Sequence, residues 1–185
     1  VRYAHKDIFQ NTRHGKFICD ILNSSIVKRK KMLNKEIPMG IQWLKFSMPP
    51  QHGKSMNITE TFPSYFLGHF PNHGVIEVSY NEDFASEFGG KNKDKVKEYG
   101  SDLFGIAVSK DSSGKSKWSI TDSKGNKTRG GMISRGMLSG ITGSSWGDLV
   151  IIDDPIKNKD EALSETKRNK IWLEWQNSIF TRIHP

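Results

Sequence analysis

Late in this chain, Leu149, Val150, Ile151 and Ile152 form an uninterrupted apolar run that stops on Asp153-Asp154-Pro155. Four consecutive apolar residues leave no polar face, so the run predicts a central strand of a parallel sheet, covered on both sides. Parallel strands are joined by crossovers, usually helices, so the run argues for an α/β fold. Ligands of open α/β sheets bind at the carboxyl ends of the strands, which is where the two carboxylates fall. An Asp-Asp-Pro sequence can also simply close a strand with a turn.

A second segment supplies the complementary charge. Trp43, Lys45 and Ser47 alternate with Leu44, Phe46 and Met48, which predicts a strand, and Pro49-Pro50-Gln51-His52-Gly53-Lys54-Ser55 then breaks it. Ile58, Phe62, Tyr65 and Phe66 follow at helical spacing, predicting a helix over residues 56–66. A strand, loop and helix in that order direct backbone N–H groups and a positive helix end at one point, which suits a phosphate. Gly53 allows close backbone approach, Lys54 can reach β- and γ-phosphates, and the Ser55 hydroxyl can ligate Mg²⁺. The sequence is the second half of a Walker A loop, with Met48 where the usual pattern has its first glycine. Pro50, Gln51, His52, Gly53, Lys54, Ser55 and Met56 are the candidate nucleotide-binding residues. Asp153 fits a Walker B role beside Ser55 on Mg²⁺, and Asp154 is placed to orient or deprotonate water.

The rest of the chain reads as one α/β domain. Phe17, Ile18, Ile21 and Leu22 share a helical face, and the basic stretch after Ser24 reads as a short helix or a loop. Residues 75–80 read as a strand; Asn81 then caps a helix with Glu82 and Asp83 in its first turn, and Gly89-Gly90 weakens its middle. Lys117 to Thr121, a turn at residues 123–126 and Gly130 to Ser134 predict an antiparallel hairpin inserted between parallel strands. Gly136, Gly140, Gly143 and Gly147 mark an adaptable loop beside the site. Trp172, Trp175 and Ile179 predict a core-facing stripe on a helix over residues 158–182. A net charge of +8 favours a polyanionic partner, and nucleic acid is the commonest. The one cysteine, Cys19, excludes an internal disulfide and a cysteine-rich zinc site. No apolar run is long enough for a membrane span, and no secretory leader pattern opens the sequence.

The motifs together resemble the ATPase half of a tailed-phage terminase large subunit. The resemblance rests on Met48-Pro-Pro-Gln-His-Gly-Lys-Ser55, Val75-Ile-Glu-Val-Ser-Tyr80, Gly130-Gly-Met-Ile, Gly140-Ile-Thr-Gly143, Asp148 through Asn158, Glu161-Ala-Leu-Ser164 and Thr181-Arg-Ile-His-Pro185, in order. It implies an additional-strand P-loop NTPase in which residues 1–185 form a single ATPase domain ending before a C-terminal nuclease domain. It further implies Mg²⁺-dependent ATP hydrolysis that drives double-stranded DNA into a procapsid in the host bacterial cytoplasm. The implied partners are a portal protein, a small terminase subunit and further copies of the chain in a ring. Asp154 stands where many relatives have glutamate, Gln51 where many have a loop arginine, and Ser144 where an arginine after Thr-Gly is common. With those arginines replaced, Arg135 is the candidate arginine finger, acting on a neighbour's nucleotide, with Arg129 as the other option; Gln10 and His14 are candidates for holding the base. Two alternatives stand beside this reading: a basic nucleic-acid-binding module with a degenerate nucleotide pocket, and another DNA-translocating P-loop ATPase.

Overall fold

The computed structural model describes His5 and residues 12–141 and 147–184. The candidates Gln10, Gly143 and Ser144, and the terminal Pro185, lie outside the described residues.

From residue 12 on, the first element is a 21-residue helix, α1 (Arg13–Leu33), rather than a helix through Leu22 followed by a second short helix or a loop. Ile18, Leu22, Ile26, Arg29 and Met32 recur at spacings of three and four and are all buried, so one stripe continues through the basic stretch. Each fully buried aliphatic side chain on it contributes about 1.5–3 kcal/mol. Thr12 caps the helix by accepting the Gly15 amide.

Residues 37–49 carry no regular secondary structure, which corrects the strand expected over residues 43–48. The alternation holds only over residues 45–48, where Phe46 and Met48 pack against the core while Lys45 and Ser47 are exposed; Leu44, in phase with Phe46, is exposed as well. Alternation reports a half-buried extended segment; a strand also needs a ladder partner. The helix expected at residues 56–66 is two helices, α2 (Lys54–Ile58) and α3 (Phe62–His69), separated at Thr59, Glu60 and Thr61. Pro63 opens α3, a position where its missing N–H costs nothing.

Strand β1 (Gly74–Ser79) leads through the Asn81 cap into α4 (Glu82–Phe104), as the sequence suggests. Gly89-Gly90 does not interrupt this 23-residue helix. A Cβ on Gly89 would lie 2.6 Å from both the Lys115 carbonyl and the Ser134 hydroxyl, so the glycine serves close packing of helix on sheet. Strands β2 (Ile106–Val108), β3 (Lys117–Asp122) and β4 (Lys127–Gly136) follow, then β5 (Leu149–Ile152). Short β2 is absent from the sequence reading.

The sheet order is β2-β3-β4-β1-β5. β1 pairs in parallel with β4 and with β5, while β2, β3 and β4 pair antiparallel. β4 is thus both the second strand of the hairpin and the parallel neighbour of β1. β5 is parallel, but it is an edge strand, paired only with β1 among the described residues. That corrects the central position expected from its apolar run: Ile151 is buried, while Ile152 is 38% exposed.

Helices α1 and α3 cover one face of the sheet with Val75, Met132, Ile151 and Trp118, whose indole donates to the Gly89 carbonyl of α4 at 3.1 Å. The other face packs Ile76, Val78 and Ile133 against Ile179, with Trp175 partly buried beside them. The C-terminal segment is broken into α5 (Lys159–Leu163), α6 (Glu165–Glu174), a π turn over Trp175–Ile179 and a 3-10 turn over Phe180–Arg182. Ile179 is core as expected, whereas Trp172 is 57% exposed and leaves the predicted stripe. The π turn over Trp175–Ile179, which lies between Trp172 and Ile179, changes the helical phase. No helix among the described residues is long and apolar enough to cross a membrane.

Candidate functional site

The loop before α2 turns sharply. Gln51 and Gly53 have φ of 63° and 77°, the left-handed region, which is costly for glutamine and natural for glycine. His52 and the Pro50 carbonyl are 2.8 Å apart, and the Gly53 carbonyl accepts from the Asn57 amide and side chain at 3.1 and 2.6 Å. These bonds fix the loop on α2 and leave Lys54 and Ser55 as its first helical residues. Five residues make only a weak dipole, so attraction for an anion here rests mainly on the Lys54 charge.

Both ends of the expected site meet. The Lys54 Nζ lies 2.9 Å from Asp153 Oδ1 and 2.7 Å from Asp154 Oδ1. Ser55 Oγ donates to Asp153 Oδ2 at 2.9 Å. Burial alone pulls the Lys54 ammonium down, but its bonds to Asp154 and Asp153 outweigh this and hold its pKa above the usual lysine value.

The two carboxylates differ. Asp153 is 5% exposed, directly after β5, and its amide donates to the Val78 carbonyl at 2.9 Å. Asp154 has φ of 44° and a side chain 64% exposed. A non-glycine residue in that region costs about 1–2 kcal/mol, and the turn swings the Asp154 carboxylate out to the solvent side of Lys54. One acid is therefore fixed in the protein and the other faces water.

A cavity of about 580 Å³ opens beside them. Lys54, Thr59, Asp153 and Asp154 line one end; Trp43, Phe46 and the exposed edge of β5 form its walls. At the far end Arg29 Nη2 lies 3.4 Å from Asp148 Oδ1, and Asp148 Oδ2 accepts the Gly74 amide at 2.9 Å. Arg29, in the basic run Lys28-Arg29-Lys30-Lys31, is therefore a buried structural tie rather than a free surface charge.

Arg135 lies at the carboxyl end of β4, on the same sheet edge as Asp153 with β1 between them. Its Nη1 donates to Glu82 Oε1 at 2.6 Å, and the Gly136 amide donates to the other oxygen of Glu82 at 2.9 Å. Arg129 lies nearer the opposite end of β4, its amide donating to Asn72. The His14 ring is 5.5 Å from that of His52, which puts α1 beside the loop.

Three residues at the site escape sequence reasoning. Thr59, in the break after α2, donates its hydroxyl to Asp153 Oδ2 at 2.7 Å. Asn92 on α4 donates to the Thr59 carbonyl at 2.8 Å. Glu77, fully buried on β1, accepts from Ser134 Oγ at 3.0 Å, while its Oε1 and the Ser79 hydroxyl have no partner among the described residues. Burial pushes the Glu77 pKa up to about 9; the Ser134 bond opposes this, and the fields of Asp153 and Glu60 add to it. A glutamate inside the apolar run Val75-Ile76-Glu77-Val78 was the available signal.

Comparison with curated proteins finds no match, and neither does comparison with solved structures. A protein-family comparison does: residues 45–184 match the family described as terminase large subunit, T4likevirus-type, N-terminal. That match begins in the segment leading to Lys54 and runs past Asp153 and Asp154, so it takes in both halves of the site. The chain belongs to the T4-like terminase large subunit N-terminal family.

Proposed function

We propose that this chain is the ATP-hydrolysing part of a DNA-packaging motor, with Lys54, Ser55, Asp153 and Asp154 as its reaction centre and an additional-strand P-loop NTPase fold. The observation that carries the reading is the convergence of Lys54 and the acidic pair on one cavity, within a chain of the terminase family.

Each residue has a distinct task. Lys54 exchanges its bonds to Asp153 and Asp154 for the phosphates of ATP, with the amides of residues 51–56 around them. Asp154, solvent-facing and next to Lys54, orients the attacking water and accepts its proton. Asp153 and Ser55 would hold Mg²⁺. Their oxygen donors, one carboxylate and one hydroxyl already in contact, match the hard ligands that this ion takes alongside phosphate oxygens. Bound there, the ion would neutralise charge on the transferring phosphoryl group. Arg135 could supply a further positive charge to the nucleotide of a neighbouring copy once released from Glu82.

In the terminase setting this hydrolysis moves double-stranded DNA into a procapsid, in the host cytoplasm at the portal. The portal protein, a small terminase subunit and other copies of the chain in a ring are the assembly partners. The test is phosphate release from Mg-ATP with and without double-stranded DNA. Turnover stimulated by DNA is the expected result; nucleotide-independent DNA binding with no turnover, in the presence of the packaging partners, would favour a binding module with a degenerate pocket.

A further inference from the structure

We propose that Asn92 is a positioning residue that sets the Asp153 carboxylate through Thr59, an inference that rests on the ATP-hydrolysing reading above. Asn92 lies midway along α4 and is fully buried. Its amide nitrogen donates to its own helix at the Phe88 carbonyl, 3.0 Å, and across to the Thr59 carbonyl, 2.8 Å; its oxygen accepts the Ser64 amide at 3.0 Å. Both N–H donors and the acceptor are engaged, so the side chain is clamped. It joins α4 to the break between α2 and α3.

That break matters because Thr59 occupies it. A threonine continued in a helix would offer its carbonyl to the residue four positions on, and its hydroxyl would tend to bond backward to its own turn. Here Asn92 takes the carbonyl, and the hydroxyl, on a residue 1% exposed, points to Asp153 Oδ2. Ser55 Oγ donates to the same oxygen, 2.9 Å away. Two hydroxyl donors on Oδ2 stop the carboxylate from rotating and keep Oδ1 turned toward Lys54. The same helix starts at Glu82, which holds Arg135. Helix α4 therefore indexes the acid at the end of β5 and the arginine at the end of β4.

Partners of this kind, one bond behind a metal-holding carboxylate, typically change metal affinity by about 10- to 100-fold when removed. The readout is the ratio of ATP affinities measured by calorimetry on the whole chain in excess Mg²⁺ and in EDTA, with thermal melts to establish folding. Thr59→Val keeps the side-chain shape and deletes the donor; Asn92→Ala deletes the bridge, with Asn92→Ser as substitute if that variant does not fold. Each is expected to lower the Mg²⁺-dependent ratio by about tenfold. The Thr59→Val/Asn92→Ala double variant should fall no further than Thr59→Val, because both act through one hydroxyl, and Thr59→Ser should keep the wild-type ratio. A wild-type ratio retained in Thr59→Val or Asn92→Ala, or losses that multiply in the double variant, overturns the relay and leaves the ATPase reading intact. Wild-type ATP binding indifferent to Mg²⁺ would instead overturn that reading, and the relay with it.

Discussion

The Lys54 ammonium sits 2.7 Å from the Asp154 carboxylate, joining positions 100 residues apart in sequence. The same ammonium reaches Asp153, so one cation closes across the acidic pair. Any anion entering the cavity must compete with two carboxylates for that charge. In the proposed function, nucleotide binding would be an exchange of ion pairs, its affinity set by how strongly the acids hold the lysine.

Asp154→Asn separates the two roles of that acid. Removing its charge frees Lys54 from one competitor, so ATP should bind as tightly as in the wild type or a few-fold more tightly. Loss of the proton acceptor should lower hydrolysis by about 10²- to 10⁴-fold. Calorimetric affinity and phosphate release on the same preparation check this; parallel loss of both would give Asp154 a structural role instead.

Glu77 makes a prediction about pH. Its folded pKa of about 9 stands above the ordinary glutamate value of 4.5, so between those values the folded chain holds a proton that the unfolded chain releases. The Glu77 contribution is fully present below about pH 4.5, declines as pH rises, and is gone once pH passes about 9. Glu77→Gln keeps the shape and stays neutral, so it should unfold at a higher denaturant concentration than wild type at pH 8 and show a flatter stability profile from pH 5 to 9. Urea titrations across that range decide it; identical slopes in both proteins would mean that Glu77 is ionised in the fold.

Arg135 can be tested by mixing subunits. An arginine finger is worth about 10³- to 10⁵-fold in rate, so Arg135→Ala and Lys54→Ala should each be nearly inactive alone. If Arg135 serves the neighbouring nucleotide, assembled mixtures of the two variants regain part of the wild-type ATPase rate. No recovery, with assembly verified, would leave Arg135 as the structural partner of Glu82.

Much of the site was legible because its chemistry is local. Lys54 and Ser55 follow a glycine in a turn, and Asp153-Asp154 ends an apolar run; each pattern carries its meaning within a few residues. What was not legible depended on neighbours distant in sequence. Residues 45–48 do alternate, but Leu44 breaks the pattern, and among the described residues no strand pairs with the segment to make a ladder. The Leu149–Ile152 run is apolar enough for a central strand, yet one side meets a cavity. Thr59 reads as an ordinary helical residue until Asp153 and Asn92, 94 and 33 positions away, draw off its hydroxyl and carbonyl. Gly89 reads as a helix weakener until Ser134 and Lys115 approach it.

Calorimetric titration of Mg-ATP into the wild-type chain and into Lys54→Ala is the most direct measurement. Saturable binding by the wild type, weakened at least about tenfold by losing this one ammonium, is the predicted result. Equal affinity in the two proteins would contradict the claim that the charge Lys54 now shares with Asp153 and Asp154 is the charge that receives the nucleotide.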